Sequence, residues 1–287
     1  MLARGTIVTF DSCSGYTCKG ILYDVKEPNG TIIHIHGSYG NFYDNHFIQE
    51  FASYYNEVNY NLLAFNMETH GAISEGYKKG HYGYFGGAVS SYETSVYDIA
   101  GAIKFASVFS NNIVLQGHSQ GTDKILNFLW KTGRCYPAIL LSPCDSYKLQ
   151  ELWIAPEKID EQINRIRRLS GDGSMWLDPK EYGIKSGCEY YNIPITKAAF
   201  LSLADGFNFR GLRYEDNQKY FTINGSIFIY LGGQDPFQTS DKNTIDSFFK
   251  ERISNPSLHY YPGGNHDMDG IVSDVAQDII RWILSLE

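Results

Sequence analysis

A glycine-flanked serine lies between a strand pattern and a helix pattern near the middle of this 287-residue chain. Ser119 is the central residue of the pentapeptide Gly-His-Ser-Gln-Gly at 117–121, with an apolar run at 113–115 before it and an amphipathic stretch at 122–130 after it. The two flanking glycines permit a sharp turn that larger side chains would obstruct. The arrangement predicts a nucleophile elbow, which lifts the serine hydroxyl above a sheet and leaves the amide of Gln120 at the positive end of a helix.

Strand and helix patterns alternate on both sides of this motif. The predicted strands cover 6–11, 19–25, 31–36, 62–66, 113–116, 138–141, 227–231 and 258–261, and the predicted helices cover 46–58, 91–109, 122–130, 241–252 and 269–284. The first two strands form a hairpin that leads into a central strand. Alternation of this kind predicts an α/β fold, with a mostly parallel central sheet and helices on both faces.

The alternation stops in one long segment between residues 143 and 222. Two helical patterns, 156–169 and 196–204, are separated there by aromatic segments and by segments rich in Gly, Asp and Ser, without a strong strand pattern. We therefore predict a core formed by residues 1–143 and 222–287, with an inserted helical cap at 144–221 that acts as a lid.

Composition excludes several classes of function. The formal net charge is −8, and apolar residues make up 43% of the chain, enough for a large core. An acidic chain without a basic stripe is not expected to bind nucleic acid. No segment approaches the run of about 18 apolar residues that a membrane span needs, and the N-terminus lacks an apolar leader pattern. The sequence predicts a soluble, cytoplasmic protein, monomeric or homodimeric.

No metal site or cofactor is expected. The five cysteines are scattered without a Cys-x-x-Cys pair, which argues against both a disulfide framework and a zinc site. His34 and His36 share one face of a predicted strand, but the sequence supplies no third ligand at a suitable spacing. Structural roles are therefore favoured for both histidines.

A serine nucleophile needs a base within hydrogen-bond reach and an acid that orients the base. The sequence supplies both in loops that follow the last two predicted strands. Asp235 lies in Gly-Gly-Gln-Asp-Pro after the strand at 227–231, and His266 lies in Gly-Gly-Asn-His-Asp after the strand at 258–261. Loops that follow parallel strands meet at the carboxyl edge of the sheet. We predict Ser119 as the nucleophile, His266 as the base and Asp235 as the acid.

Other residues offer alternatives for the acid and the base. Asp145, just after a predicted strand, is the strongest alternative acid; Asp267 adjoins His266, and Asp205 belongs to the inserted segment. His118 and His259 are alternative bases. They lie in the elbow and in a strand, where packing roles are expected.

The attack of a serine on a carbonyl produces an oxyanion, which two backbone amides can stabilise by several kcal/mol in a dry site. The loop after the central strand, His-Gly-Ser-Tyr-Gly at 36–40, is positioned to supply one of them. We predict that the amides of Ser38 and Gln120 form the oxyanion hole.

Aromatic residues are the candidate substrate contacts. They come from the 36–40 loop, from a glycine-rich segment at 76–87 and from the inserted segment: Tyr39, Tyr82, Tyr84, Phe85 and Trp176. Further aromatic residues of the inserted segment are expected to line the same pocket: Trp153, Tyr182, Tyr190 and Tyr191. The alternative for the glycine-rich segment is that its rings only pack the loop in place.

With these motifs assembled, the chain resembles the α/β-hydrolase superfamily over essentially its whole length. More narrowly, residues 36–43, residues 65–66 with 69–71, and residues 114–119 are similar to a little-characterised bacterial branch related to fungal siderophore esterases. One segment departs from the common pattern. Residues 66–71 read Asn-Met-Glu-Thr-His-Gly instead of the Asn-Arg-Gly-His-Gly form, so the arginine that usually braces this loop is replaced.

The resemblance implies a serine hydrolase that cleaves a carboxylic ester of a small or medium-sized organic substrate through an acyl-enzyme. It does not specify the ester. An acyltransferase or thioesterase acting on a carrier-bound acyl group, or an amidase, is the alternative, because the same fold carries several chemistries.

Overall fold

A computed structural model describes residues 3–153, 159–184, 193–216 and 220–286. The strands are β1 (Thr6–Asp11), β2 (Thr17–Tyr23), β3 (Gly30–Ile35), β4 (Tyr60–Phe65), β5 (Ser74–Lys78), β6 (His81–Phe85), β7 (Ile113–His118), β8 (Ala138–Leu141), β9 (Trp176–Leu177), β10 (Ile195–Thr196), β11 (Ile223–Gly232) and β12 (Ile253–Tyr261). The helices are α1 (Phe47–Glu57), α2 (Ser95–Ala106), α3 (Gln120–Thr132), α4 (Ser146–Trp153), α5 (Ile159–Arg168), α6 (Pro179–Tyr182), α7 (Lys197–Asp205), α8 (Phe207–Arg210), α9 (Lys242–Arg252) and α10 (Val272–Leu284). In the ranges just given, none of the helices has the length and apolar character needed to cross a bilayer.

The central sheet has the order β1-β2-β4-β3-β7-β8-β11-β12. Strand β2 is antiparallel to both of its neighbours, and every other neighbouring pair is parallel. The chain proceeds from β3 to β4 on one side and later returns to β7 on the other side of β3. Such a reversal of strand order opens a crevice at the carboxyl ends of the two strands, where ligands bind in open α/β sheets. The predicted mostly parallel sheet is confirmed.

The strands of the central sheet are buried on both faces because helices cover each face. Successive residues of β3 belong to different apolar clusters: Ile32 to the one that includes residues of α1 and α10, and Ile33 to the one that includes residues of α2, α3 and α9. Each side chain of this size contributes about 1.5–3 kcal/mol when it is fully buried. Double-sided burial explains why β3, β4, β7 and β8 are nearly continuous apolar runs in the sequence rather than alternating ones.

A short hairpin, β5–β6, occupies the glycine-rich segment for which the sequence analysis predicted no strand. Its two-residue turn is Lys79-Gly80, and both residues have positive φ angles, 52° and 79°. A turn with two positive φ angles matches the twist of a hairpin, and glycine relieves the strain at its second position. Tyr77, Tyr82 and Tyr84 are exposed on this hairpin, with their rings in contact.

Between β8 and β11 the described residues form helices α4 to α8 and the short β9–β10 pair, in agreement with the helical patterns of the sequence. This segment has an apolar cluster of its own, built around Ile163, Ile166, Leu177, Ile195 and Phe200. Trp153 lies outside the described side chains, and Tyr190 and Tyr191 lie outside the described residues. The assignment of 144–221 as a separate cap remains a prediction.

A buried histidine in β3 makes the stability of the fold depend on pH. His34 is 1% exposed, and its Nδ1 accepts a hydrogen bond from Gln116 Nε2 at 3.1 Å. Burial lowers its pKa to about 3, so the folded protein keeps this ring neutral. Below pH 6.5 the unfolded chain binds a proton that the folded chain does not bind, and stability is lost as the pH falls.

We therefore expect the unaltered protein to lose about 1.5 kcal/mol of unfolding free energy relative to His34→Leu when the pH falls from 6.5 to 5. Urea unfolding of both proteins across this range measures the difference. Other buried groups are the same in both proteins, so their titration largely cancels. A difference that stays constant with pH would contradict the neutral, buried state of His34.

Candidate active site

The turn between β7 and α3 has the geometry expected of an elbow. Ser119 has φ 54° and ψ −127°, a backbone conformation that is strained for any residue with a side chain. Close approach explains the glycines. A Cβ at Gly121 would lie 2.1 Å from the carbonyl oxygen of Ile35, and one at Gly117 would lie 2.5 Å from the carbonyl oxygen of Gly121. Only glycine allows the helix to start this close to the neighbouring strand.

His266 and Asp235 are paired at the same edge of the sheet. His266 Nδ1 lies 2.9 Å from Asp235 Oδ2, and the carboxylate side chain is fully buried. The amide of Phe237 donates to Asp235 Oδ1 at 2.8 Å, so both carboxylate oxygens are engaged. The ring of Phe237 also packs edge-on against the imidazole at 4.6 Å. These contacts fix the orientation of the histidine ring.

The backbone of His266 is held by two further side chains. Its carbonyl oxygen lies 2.9 Å from His118 Nε2 and 2.7 Å from Ser142 Oγ, which donates to it. Burial and the nearby imidazole lower the pKa of His118 well below its usual value, so His118 is neutral and its Nε2 carries the proton that it donates. The alternative base predicted at 118 is therefore engaged in holding the loop of His266.

The other alternative acids and base have partners of their own. Asp145 accepts hydrogen bonds from the amides of Lys148 and Tyr214, at 2.8 and 3.1 Å. Three more residues lie in other contacts: Asp267 is half-exposed beside His118, Asp205 pairs with Arg167, and His259 stacks on Phe228. None of these residues, within the described part of the chain, bonds to the imidazole of His266.

The loop after β3 passes directly against the serine. A Cβ at Gly37 would lie 3.1 Å from Ser119 Cβ and 3.5 Å from its Oγ, a tight fit that favours glycine at this loop position. The next amide, that of Ser38, donates to no other group of the described residues. The amide of Gln120 belongs to the first turn of α3, where amides have no acceptor within the helix. Two amide donors are thus available beside Ser119.

A different set of contacts braces the loop that lacks the usual arginine. Glu68 is one of the residues that stand where the common pattern has the arginine. Its amide donates a hydrogen bond to Asp98 Oδ2 at 2.9 Å. Its carboxylate pairs with Lys78 Nζ at 2.7 Å, and the amide of Met67 donates to His36 Nε2 at 3.2 Å. The hairpin strand β5 and helix α2 therefore hold this loop in place of the missing guanidinium.

A cavity of about 500 Å³ opens above Ser119 and His266. Its volume is in the range of sites for small organic molecules. One part of its wall comes from the 36–40 loop and the elbow, and the other part comes from the inserted segment. The apolar side chains that the inserted segment contributes are Leu149, Ile184, Ile193, Ile195, Phe200, Leu203 and Phe209.

The structure brings together some of the predicted substrate contacts and separates others. Tyr39 lines the cavity. Tyr82, Tyr84 and Trp176 are exposed, at 55%, 64% and 47%, and are not among the lining residues in the described ranges. Phe85 packs instead against Tyr16 at a ring distance of 4.9 Å, together with the rest of the hairpin. Phe85 therefore packs against the core, and the hairpin does not form the described wall of the cavity.

Cys144 is a cavity residue that the sequence analysis did not select. Its thiol donates to the carbonyl oxygen of Ser142 at 3.2 Å, and burial raises its pKa well above the usual value, with Asp235 adding to the effect. A protonated, buried thiol is a weak nucleophile. Cys144 and Phe237 both follow strands that end at the edge of the sheet where the site lies, and this position in the sequence could have indicated them as site residues. Cysteine and phenylalanine, however, are common in protein cores.

Solved structures with the same fold span nearly the whole chain. Est1E from Butyrivibrio proteoclasticus bound to ferulic acid is 18% identical, with a TM-score of 0.66 and 97% of this chain and 98% of that chain covered. DcsB in complex with its substrate analogue is 15% identical, with a TM-score of 0.67 and 98% and 99% covered. The esterase Pf2001 from Pyrococcus furiosus is 15% identical, with a TM-score of 0.62 and 99% and 91% covered.

These similarities, together with the sheet order, show that the chain has the α/β-hydrolase fold. No protein-family model and no curated protein matches the sequence.

Proposed function

We propose that this protein is a serine hydrolase that cleaves a carboxylic ester through an acyl-enzyme. The observation that carries the proposal is the hydrogen bond between His266 Nδ1 and the buried Asp235, in a cavity that Ser119 also lines. A neutral imidazole whose Nδ1–H is donated to a carboxylate has Nε2 free to accept the proton of a serine hydroxyl. Burial of the carboxylate keeps this interaction away from water, and the hydrogen bond is stronger in the protein interior than in water.

In the acylation step, Ser119 Oγ attacks the ester carbonyl carbon while His266 Nε2 takes its proton. The carbonyl oxygen becomes an oxyanion, which accepts hydrogen bonds from the amides of Ser38 and Gln120. The tetrahedral intermediate then collapses as the carbon–oxygen bond to the alcohol breaks. The departing oxygen receives the proton from His266, and the acyl group stays on Ser119.

In the deacylation step, a water molecule loses a proton to His266 Nε2 and attacks the acyl carbon. The same two amides stabilise the second oxyanion. The bond between the acyl carbon and Ser119 Oγ breaks, Oγ regains the proton, and a carboxylic acid leaves. Asp235 stays ionised throughout and stabilises the imidazolium that forms in each step.

The cavity wall supports an ester with an apolar acyl or alcohol group of moderate size. The inserted segment would act as a lid that supplies apolar contacts above the nucleophile. Among proteins of similar structure, Est1E is bound to ferulic acid, an aromatic carboxylic acid. A place near the fungal siderophore esterases rests on the three sequence motifs and is part of the proposal.

The nucleophile can be tested with a small ester and a covalent probe. The unaltered protein should hydrolyse p-nitrophenyl acetate and butyrate and react with a fluorophosphonate at Ser119. Ser119→Ala should remove both activities. Cys144→Ala is the matched control, because it removes a second nucleophilic side chain that lines the same cavity; it should still react. Labelling that survives in Ser119→Ala and disappears in Cys144→Ala would overturn the assignment.

A second pair of variants tests the acid. Asp235→Asn should lower kcat by about 10³–10⁴-fold with the fold intact, because it alters the tautomer and the charge beside His266. Asp145→Asn should leave kcat within a few-fold of the original value, since its carboxylate bonds to backbone amides elsewhere. Steady-state kinetics with p-nitrophenyl butyrate measures both. The opposite ranking of the two variants would assign the acid to Asp145.

The cavity wall makes a prediction about substrate choice. Leu203→Ala and Phe209→Leu should change the kcat/KM ratio of octanoyl to acetyl p-nitrophenyl esters. The change should correspond to about 1–3 kcal/mol of selectivity per lost apolar contact. Trp176→Ala and Tyr84→Ala serve as controls, because both side chains are exposed outside the described wall, and should leave the ratio unchanged. If only the two control variants shift the ratio, selectivity resides in the exposed aromatic residues and not in this wall.

A further inference from the structure

Helix α3 contains a buried lysine that the proposed reaction does not use directly. Lys124 follows Ser119 by five residues and is fully buried. Its Nζ donates to the carbonyl oxygens of His36 and Gly37, at 3.1 and 3.3 Å. Burial of an amine is costly unless polar groups compensate for the lost water. Both compensating oxygens belong to the loop that carries the amide of Ser38.

His36 holds the same loop from its own side chain. Its Nε2 accepts a hydrogen bond from the amide of Met67 at 3.2 Å, so the ring proton is on Nδ1. Nδ1 lies 2.9 Å from the carbonyl oxygen of Gly37 and donates to it. Gly37 O therefore accepts hydrogen bonds from the side chains of Lys124 and His36, and the amide of Gly40 adds a longer one at 3.4 Å.

The orientation of this carbonyl determines the direction of the next amide. In a trans peptide the C=O of one residue and the N–H of the next point in opposite directions. Gly37 O is held toward Lys124 and His36, so the N–H of Ser38 points away from them. Gly37 itself packs against Ser119, and Ser38 lines the cavity beside it. The two donors therefore direct the Ser38 amide to the side of the nucleophile.

Two fully buried carboxylates, those of Asp98 and Asp123, lie near the lysine. Burial lowers the pKa of Lys124 to about 7, and the two carboxylates partly offset this effect. Asp98 also accepts the amide of Glu68, and Asp123 accepts Nδ2 of Asn208 at 3.1 Å. Lys124 itself bonds to the loop after β3, and the neighbouring Asp123 bonds to the inserted segment.

We propose that Lys124 is a positioning residue, which together with His36 fixes the Gly37–Ser38 peptide so that the Ser38 amide faces the oxyanion. This inference rests on the proposed function. The interaction matters most when the carbonyl oxygen becomes charged, and so it should affect kcat and the binding of tetrahedral analogues more than the binding of the substrate.

Lys124→Met removes the amine and keeps most of the side-chain volume. We expect kcat for p-nitrophenyl butyrate to fall by about 10–100-fold with little change in KM, within the cost of losing one oxyanion donor. The affinity for phenylboronic acid, which forms a tetrahedral adduct with a serine, should fall by a similar factor. Inhibition by butyrate, the planar product, should stay unchanged.

A pair of substitutions at His36 separates positioning from general stability. In His36→Asn the amide nitrogen takes the place of Nδ1 and can still donate to Gly37 O, whereas His36→Gln substitutes for Nε2 and loses this donor. His36→Asn should keep kcat within a few-fold, and His36→Gln should lose it as Lys124→Met does. If Lys124→Met does not fold, this pair still decides the question.

Asn127→Leu is the control for a buried polar change on the same helix. Its side chain is buried and has no hydrogen-bond partner among the described residues. It should change the melting temperature but neither kcat nor boronate affinity. Folded Lys124→Met or His36→Gln with unaltered kcat and boronate affinity would overturn the inference and leave the hydrolase proposal standing. An unaltered protein that neither cleaves esters nor binds the boronate would contradict the proposed function itself.

Discussion

The close approach of helix α3 to strand β3 is the constraint on which the site depends. Gly121 lies so near the carbonyl oxygen of Ile35 that any side chain would separate the two elements. This contact brings the start of α3 beside the loop after β3, and the turn leaves Ser119 with a positive φ angle. The strain is tolerated because the turn is enclosed on both sides: the sheet holds one end and the buried face of α3 holds the other. The positions of Ser119, the proposed nucleophile, and of both proposed oxyanion donors follow from this one packing arrangement.

Buried polar groups then orient each functional part. His118 and Ser142 hold the backbone of His266, and Phe237 donates to the carboxylate of Asp235. On the opposite side, Lys124 holds the loop after β3. Each of these groups bonds to a backbone atom or to a proposed catalytic side chain, and such networks rigidify a site when their members are satisfied. The apolar side chains of the inserted segment form the wall of the cavity above these polar groups. Small-molecule sites commonly combine an apolar lining with a few polar groups in this way.

Much of the fold was predictable because its signals are local. Double-sided burial makes the central strands apolar runs, and the elbow needs glycines at fixed positions around Ser119. The loops of Asp235 and His266 were found because chain order and strand ends can be read in the sequence. Other features depend on contacts between distant segments. The β5–β6 hairpin was obscured by its glycines, and the exposed positions of Tyr82 and Trp176 depend on how the segments pack. Nothing in the sequence distinguishes Lys124 from a surface lysine.

We propose that Ser119, the imidazole of His266 paired with Asp235, and the amides of Ser38 and Gln120 form one catalytic unit. A crystal structure of the protein after reaction with a fluorophosphonate tests this claim most directly, because the tetrahedral phosphorus mimics the intermediate. The account predicts a bond from Ser119 Oγ to phosphorus, with the phosphoryl oxygen within about 3.1 Å of the amides of Ser38 and Gln120. His266 Nε2 should lie next to Ser119 Oγ, on the side from which the fluoride left. A phosphonate on another residue, or a phosphoryl oxygen directed away from both amides, would contradict the account.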